Sequence, residues 1–247
     1  MATTVPATGT PQGRQSNLRA PTWILKTLIA VSGIVWVVFV LVHLFGNLKV
    51  FAGAQSFNSY AHWLRHALSP LLPEGFLLWT LRVVLMAALA VHVWGAAALW
   101  WRGRRARGSF AAHSRFFRGG FQAVAARLMP ITGVVVLVFL VVHIMDLTTG
   151  TRGVASADFV PATEATSMAY ENLIASLQRP AMAGFYVLVM ALLAVHVSHG
   201  TVMVATDLGA MGYRLRQGAV IVGGALGIII LIGNGAIPIC VQLGVLS

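Results

Sequence analysis

The chain of 247 residues is 58% hydrophobic and 9% charged, where a soluble domain carries about 25% charged residues; its mean hydropathy is +0.82. This excludes an ordinary soluble enzyme or binding domain and points to an all-α integral membrane protein. The formal charge of +11 would suit a nucleic-acid binder, but its distribution along the chain argues against one.

Residues 1–22 are rich in Thr, Pro, Gly and Gln and hold no apolar run, so they read as a disordered cytoplasmic tail and not as a signal peptide. Residues 23–247 read as a single membrane domain. Five apolar stretches, near 24–48, 76–101, 124–147, 180–205 and 218–243, reach the roughly 20 residues that cross a bilayer. The first contains SGIVWVVFVLVH, from Ser32 to His43. The segment after it is too apolar for a free linker. Its core FNSYAHWLRHAL is amphipathic, which predicts a short helix on the membrane surface, ended by Pro70 and Pro73. The second span carries MAALAVHV, from Met86 past His92, and leads into the RGRRAR run and the Phe- and Arg-bearing SFAAHSRFFRGG loop. The third has Pro130 in its first turns, where proline is tolerated, and TGVVVLVFLVVH from Thr132 to His143. A polar loop over 148–178 is expected to hold a short helix at ATEATSMAYENLIASL. The fourth span repeats the second as MALLAVHV, from Met190 past His196, with His199 one turn on. The fifth has no histidine. Its small residues suit close helix packing, and Gly233, Asn234 and Pro238 interrupt it.

Alternating spans divide the charges between two sides. One side holds Arg14, Arg19, Lys26, Arg102, Arg104, Arg105, Arg107, Arg115, Arg118, Arg127, Arg214 and Arg216 against Asp207 alone. The other has Lys49, Arg65, Arg82, Arg152 and Arg179 balanced by Glu74, Asp146, Asp158, Glu164 and Glu171. The positive-inside rule makes the first side cytoplasmic, with the N-terminus inside and the C-terminus outside. The basic run is thus a topology signal. Cys240, the single cysteine, supports neither a disulfide nor a cysteine metal site.

An ionisable residue inside a span is costly in lipid and points to function. His43 and His143 end repeated helices that run outward, so they share an outer level, while His92 and His196 lie late on helices that run inward and share an inner one. At 1.5 Å per residue the levels are roughly 15 Å apart. Repeat and topology select the same pairs, as two bis-histidine haem sites would require. An iron held by imidazoles on both faces has no open position; it passes electrons and does not bind oxygen. Four of the five spans then form the haem-binding bundle. His199 competes with His196, but its counterpart in the second span is Gly95, which favours His196. Ser32 and Thr132, eleven residues before their histidines, fall at the inner level. There they meet a haem propionate or a ring nitrogen, or else bond back to their own helix. His62 and His66 form an i, i+4 pair that is a weak zinc signal without a third ligand. A solvated interfacial face is the favoured reading of that pair, and contact with a quinone headgroup is the sharper alternative, with Asn47, Arg65 and His66 as candidates.

These motifs resemble the five-helix, di-haem cytochrome b membrane anchor (b558 type) of succinate dehydrogenase and fumarate reductase. The likeness spans nearly the whole chain from residue 24. It is most specific at LVHLFGNLKVF with FNSYAHWL, at RLMPITG, and at HVSHG followed by ATDLG. It implies two haem b groups, the distal on His43 and His143 and the proximal on His92 and His196. It also implies a flavoprotein subunit with covalent FAD and an iron–sulfur subunit on the cytoplasmic face of a bacterial cytoplasmic membrane. Electrons would pass to menaquinone or ubiquinone, and a higher oligomer of the complex is open. One departure is the lack of any Asp or Glu deep in the spans, which puts a side-chain proton path in doubt and favours succinate oxidation. Rival readings are the di-haem anchor of a hydrogenase or formate dehydrogenase and, less favoured, a histidine-lined ion transporter, a class that shows intramembrane charges or broken helices.

Overall fold

The computed structural model describes residues 20–107, 120–163 and 166–247. The N-terminal tail up to Arg19, nearly all of the SFAAHSRFFRGG loop with Arg115 and Arg118, and Glu164 lie outside them. The described chain runs α1 (Thr22–Asn47), a 3-10 turn (Leu48–Ala52), α2 (Ala54–His66), α3 (Phe76–Arg107), α4 (Gly120–Leu147), α5 (Ala169–Leu177), α6 (Pro180–Asp207) and α7 (Tyr213–Gln242). No strand occurs among the described residues. Five helices, α1, α3, α4, α6 and α7, are long and apolar enough to cross a membrane. By that length and composition the chain is a multi-pass, all-α membrane protein.

Local chemistry sets the helix ends. Pro180 opens α6, where a residue without an N–H leaves no donor unsatisfied. α3 outruns the expected span and carries the RGRRAR run to Arg107. Arginine is a good helix former, and Arg104 stacks over the Trp100 ring at 4.8 Å. α2 stops at His66, before the two prolines expected to end it: Leu68 has φ 81°, and the Gly75 N–H closes the turn on the Arg65 carbonyl at 2.7 Å. α5 begins at Ala169, seven residues later than the pattern suggested. Asn58 of α2 explains the start. Its Oδ1 accepts the Tyr170 N–H at 2.9 Å, while its Nδ2 donates to the Glu171 carboxylate at 2.9 and 3.2 Å, and so it satisfies a first-turn donor. Asn172 meanwhile pairs both its amide groups with the backbone of Val160 at 2.8 Å, which holds the preceding segment extended.

α6 packs on α1, α4 and α7, and α1 packs on α3. The α6–α7 contact is the closest. A Cβ on Gly223 would lie 2.5 Å from the Ser198 carbonyl oxygen, and one on Gly227 would lie 2.8 Å from that of Ala194. α7 is a continuous helix with Pro238 inside it, so the expected interruption at Gly233, Asn234 and Pro238 is corrected. Gly233 lets Leu44 approach to 2.6 Å of where its Cβ would be, and Asn234 accepts a hydrogen bond from Asn47 at 2.9 Å. These residues serve contact with α1. The 3-10 turn, α2 and α5 close one end of the molecule over a core of Val50, Tyr170, Ile174, Leu177, Tyr186 and Ile237. At the opposite, basic end Lys26 pairs with Asp207 at 2.8 Å, and Arg102 donates to the Ala20 carbonyl at 2.7 Å.

Gly223→Ala is expected to push α7 off α6 and to destabilise the protein by about 1–3 kcal/mol. Gly224→Ala, where a Cβ meets nothing within 4 Å, is expected to be neutral or stabilising. Thermal unfolding of the two variants in detergent measures the difference.

Candidate functional site

The histidines of the spans meet in two pairs. The His43 ring on α1 and the His143 ring on α4 have centroids 5.9 Å apart. His92 on α3 and His196 on α6 are 6.5 Å apart. The pairs occupy separate levels. Ser32, eleven residues before His43, touches His92, and Thr132, eleven before His143, touches His196, which is about 16 Å along the helix axis.

Hydrogen bonds establish which ring nitrogen is free. His92 Nδ1 lies 3.2 Å from the Ile29 carbonyl and 3.2 Å from Ser32 Oγ. A carbonyl only accepts, so Nδ1 carries the proton. Ser32 spends its own proton on the Leu28 carbonyl at 2.6 Å. Thr132 likewise donates to the Met129 carbonyl at 3.1 Å and accepts from His196 Nδ1 at 3.0 Å. Backbone bonding and ring-nitrogen contact, alternatives in the sequence, occur here together. His143 Nδ1 lies 3.2 Å from Tyr186 Oη, and Tyr186 donates to Asp146 Oδ2 at 3.1 Å, so His143 again donates. In each of these rings the second nitrogen, Nε2, is left with its lone pair, the arrangement found in metal-ligating imidazoles. Taken as whole residues, His43 is the most exposed of the four. It stacks on Phe39 at 5.4 Å, as His143 stacks on Phe139 at 5.4 Å.

The Asp146 carboxylate, 1% exposed, was expected as a charge at the end of a span. It is buried, and it accepts from Ser176 Oγ at 2.5 Å, Arg179 Nη2 at 2.6 Å and Tyr186. Burial is possible because three donors and a full counter-charge replace water. Tyr186, Ser176 and Arg179 were missed from the sequence. The one clue was an acid three residues beyond His143, hence on its face of the helix.

His199 is buried and its Nδ1 pairs with Gln122 Oε1 of α4 at 2.9 Å; the ring that faces His92 is that of His196. Gly95, its counterpart, lies against Ile29 of α1. The surface candidates do not converge. Asn47 is committed to Asn234. His66 bonds the His62 carbonyl at 2.9 Å and lies 3.5 Å from Glu74, and Arg65 is half-buried on α2.

The residues present fit a haem between each pair. Two metal–imidazole bonds of about 2 Å, with about 1 Å from each ring nitrogen to its ring centre, separate the centroids of two ligands on one iron by roughly 6 Å. Distances of 5.9 and 6.5 Å bracket that value. Gly33 and Gly133 follow the two hydroxyl residues, and a Cβ on either would stand 3.3 Å from His92 or 3.6 Å from His196, inside the space around the rings. Between the levels on α1, buried Trp36 Nε1 has no hydrogen-bond partner among the described residues, a donor left without a protein acceptor. Compared with family models, curated proteins and solved structures, the chain matches none.

Asp146→Asn is expected to strand Arg179 beside a neutral amide and to cost about 3 kcal/mol. Tyr186→Phe, which leaves the ion pair but strands the His143 Nδ1–H, is expected to cost less, about 1–2 kcal/mol. Unfolding in detergent followed by circular dichroism ranks the two.

Proposed function

We propose that the chain is a di-haem cytochrome b, the membrane anchor and electron-transfer subunit of a succinate:quinone oxidoreductase. The observation that carries this reading is the double histidine pair: two imidazole couples at two depths, with the Nδ1–H of three rings tied to protein acceptors and Nε2 left free. His43 and His143 would hold one haem, His92 and His196 the other. A haem bound in this way supplies reversible one-electron transfer with no open iron position. Ser32 and Thr132 orient the inner imidazoles, while Phe39 and Phe139 wall the outer ones.

The fold is equally compatible with other quinone-linked di-haem anchors, and the succinate reading rests on the resemblance described above. In it a flavoprotein with FAD and an iron–sulfur subunit dock on the basic, cytoplasmic end, and electrons leave to membrane quinone, menaquinone or ubiquinone. The charge distribution supports that docking, since an acidic partner is drawn to the basic end over a Debye length of about 8–10 Å. An ion transporter has less support, because α7 is unbroken and the one buried acid in the spans, Asp146, is neutralised by Arg179.

A pyridine haemochrome assay is expected to return two b haems per chain, extractable by acid–acetone because the sequence has no C-x-x-C-H attachment site. One haem or none rejects the reading. His43→Ala and His143→Ala are expected to remove one and the same absorption band, and His92→Ala and His196→Ala the other. Succinate is expected to reduce both bands in native membranes; reduction by hydrogen or formate in its place assigns another dehydrogenase. Crosslinks from the iron–sulfur subunit are expected at residues 102–127, and crosslinks confined to 148–178 reverse the orientation.

A further inference from the structure

The halves of the site repeat closely around the four paired histidines, but they differ in what lies behind His43 and His143. Ser32, Gly33, Phe39, His43 and His92 correspond to Thr132, Gly133, Phe139, His143 and His196 in the MALLAVHV and TGVVVLVFLVVH frames. In those frames Tyr186 corresponds to Arg82, and Asp146 to Gly46. Arg82 stacks on Trp79 at 4.8 Å, and His43 makes no hydrogen bond among the described residues. Among the described residues only His143 is joined to a buried carboxylate.

Each proton in that chain has one place to go. Ser176 and Arg179 donate to Asp146, Tyr186 gives its single proton to Asp146 Oδ2, and His143 Nδ1–H donates to Tyr186 Oη. The carboxylate therefore pulls on the imidazole through one hydroxyl. A hydrogen bond to an anion is about twice as strong as a neutral one, and bonds in series polarise each other. The inner rings differ: Ser32 and Thr132 pass their protons only to helix carbonyls.

We propose that Tyr186 is a positioning residue that couples Asp146 to His143 and lowers the reduction potential of the haem held there, with no such effect at the inner haem. The inference rests on the di-haem reading. A ligand imidazole whose Nδ1 proton is drawn toward a carboxylate gives more electron density to its metal, which favours the oxidised iron. Ser176 and Arg179 moderate the pull, since each donor they give the carboxylate weakens its hold on Tyr186.

The test is an optical redox titration of the purified chain with its haems, each band assigned by the histidine variants. Tyr186→Phe is expected to shift the midpoint of the His43–His143 haem upward and leave the inner haem where it was. Ser176→Ala is expected to shift the same haem downward, because Asp146 then leans harder on Tyr186. Opposite signs at one haem are not the result of loosened packing. If Tyr186→Phe empties the outer site, the sign in Ser176→Ala decides: a downward shift supports the relay, and no shift or an upward one overturns it. Two retained haems with unmoved potentials in both variants also overturn it and leave the di-haem reading intact. A wild-type chain with no haem sinks both.

Discussion

In hydrocarbon a polar side chain has no water to bond, and each unsatisfied donor costs several kcal/mol. That constraint shapes the interior of this chain. Each hydrogen-bonded imidazole of the spans is answered from another helix: His92 by the backbone and Ser32 of α1, His196 by Thr132 of α4, His143 by Tyr186 of α6, His199 by Gln122 of α4. These bonds do more than satisfy donors. They tie the depth of α3 to α1 and of α6 to α4, and they place the proton of each of these rings on Nδ1.

The same requirement explains how a carboxylate comes to lie 1% exposed in the last turn of α4. Arg179 reaches it from the residue before α6, and Ser176 from the end of α5. The short helix α5 is therefore more than a lid. It carries Tyr170, Ile174 and Leu177 into the core at this end and brings a hydroxyl to the acid. Asn58 of α2 holds the beginning of α5 in place, so a continuous set of contacts runs from α2 through α5 and the ion pair to Tyr186 and His143.

α7 plays a different part. It supplies none of the paired histidines, yet it packs most closely on α6 through Gly223 and Gly227. Backbone contact of this kind substitutes dispersion for a hydrophobic force that lipid cannot supply. By bracing α6 and bonding Asn47 of α1 through Asn234, it holds two histidine-bearing helices together on the side away from α3 and α4.

Five spans, their boundaries to within a few residues, and the matching of His43 with His143 and His92 with His196 were legible in the amino-acid sequence. Apolar length and the repeat are local properties that survive in one dimension. The choice of His196 over His199 for the place facing His92 was legible too, because the repeat has a glycine at the second position. What the sequence did not show was the set of partners. Ser176, Arg179 and Tyr186 are separated from Asp146 by 30 to 40 residues, and no pattern along the chain announces that they meet. Gly233 and Pro238 look like breaks when read singly, since a helix interior normally rejects them; against Leu44 of α1 the glycine becomes a fit, and the helix carries on through both. Periodicity assigns residues to elements, but polar satisfaction and close packing depend on which faces meet, and that is settled only when the helices assemble.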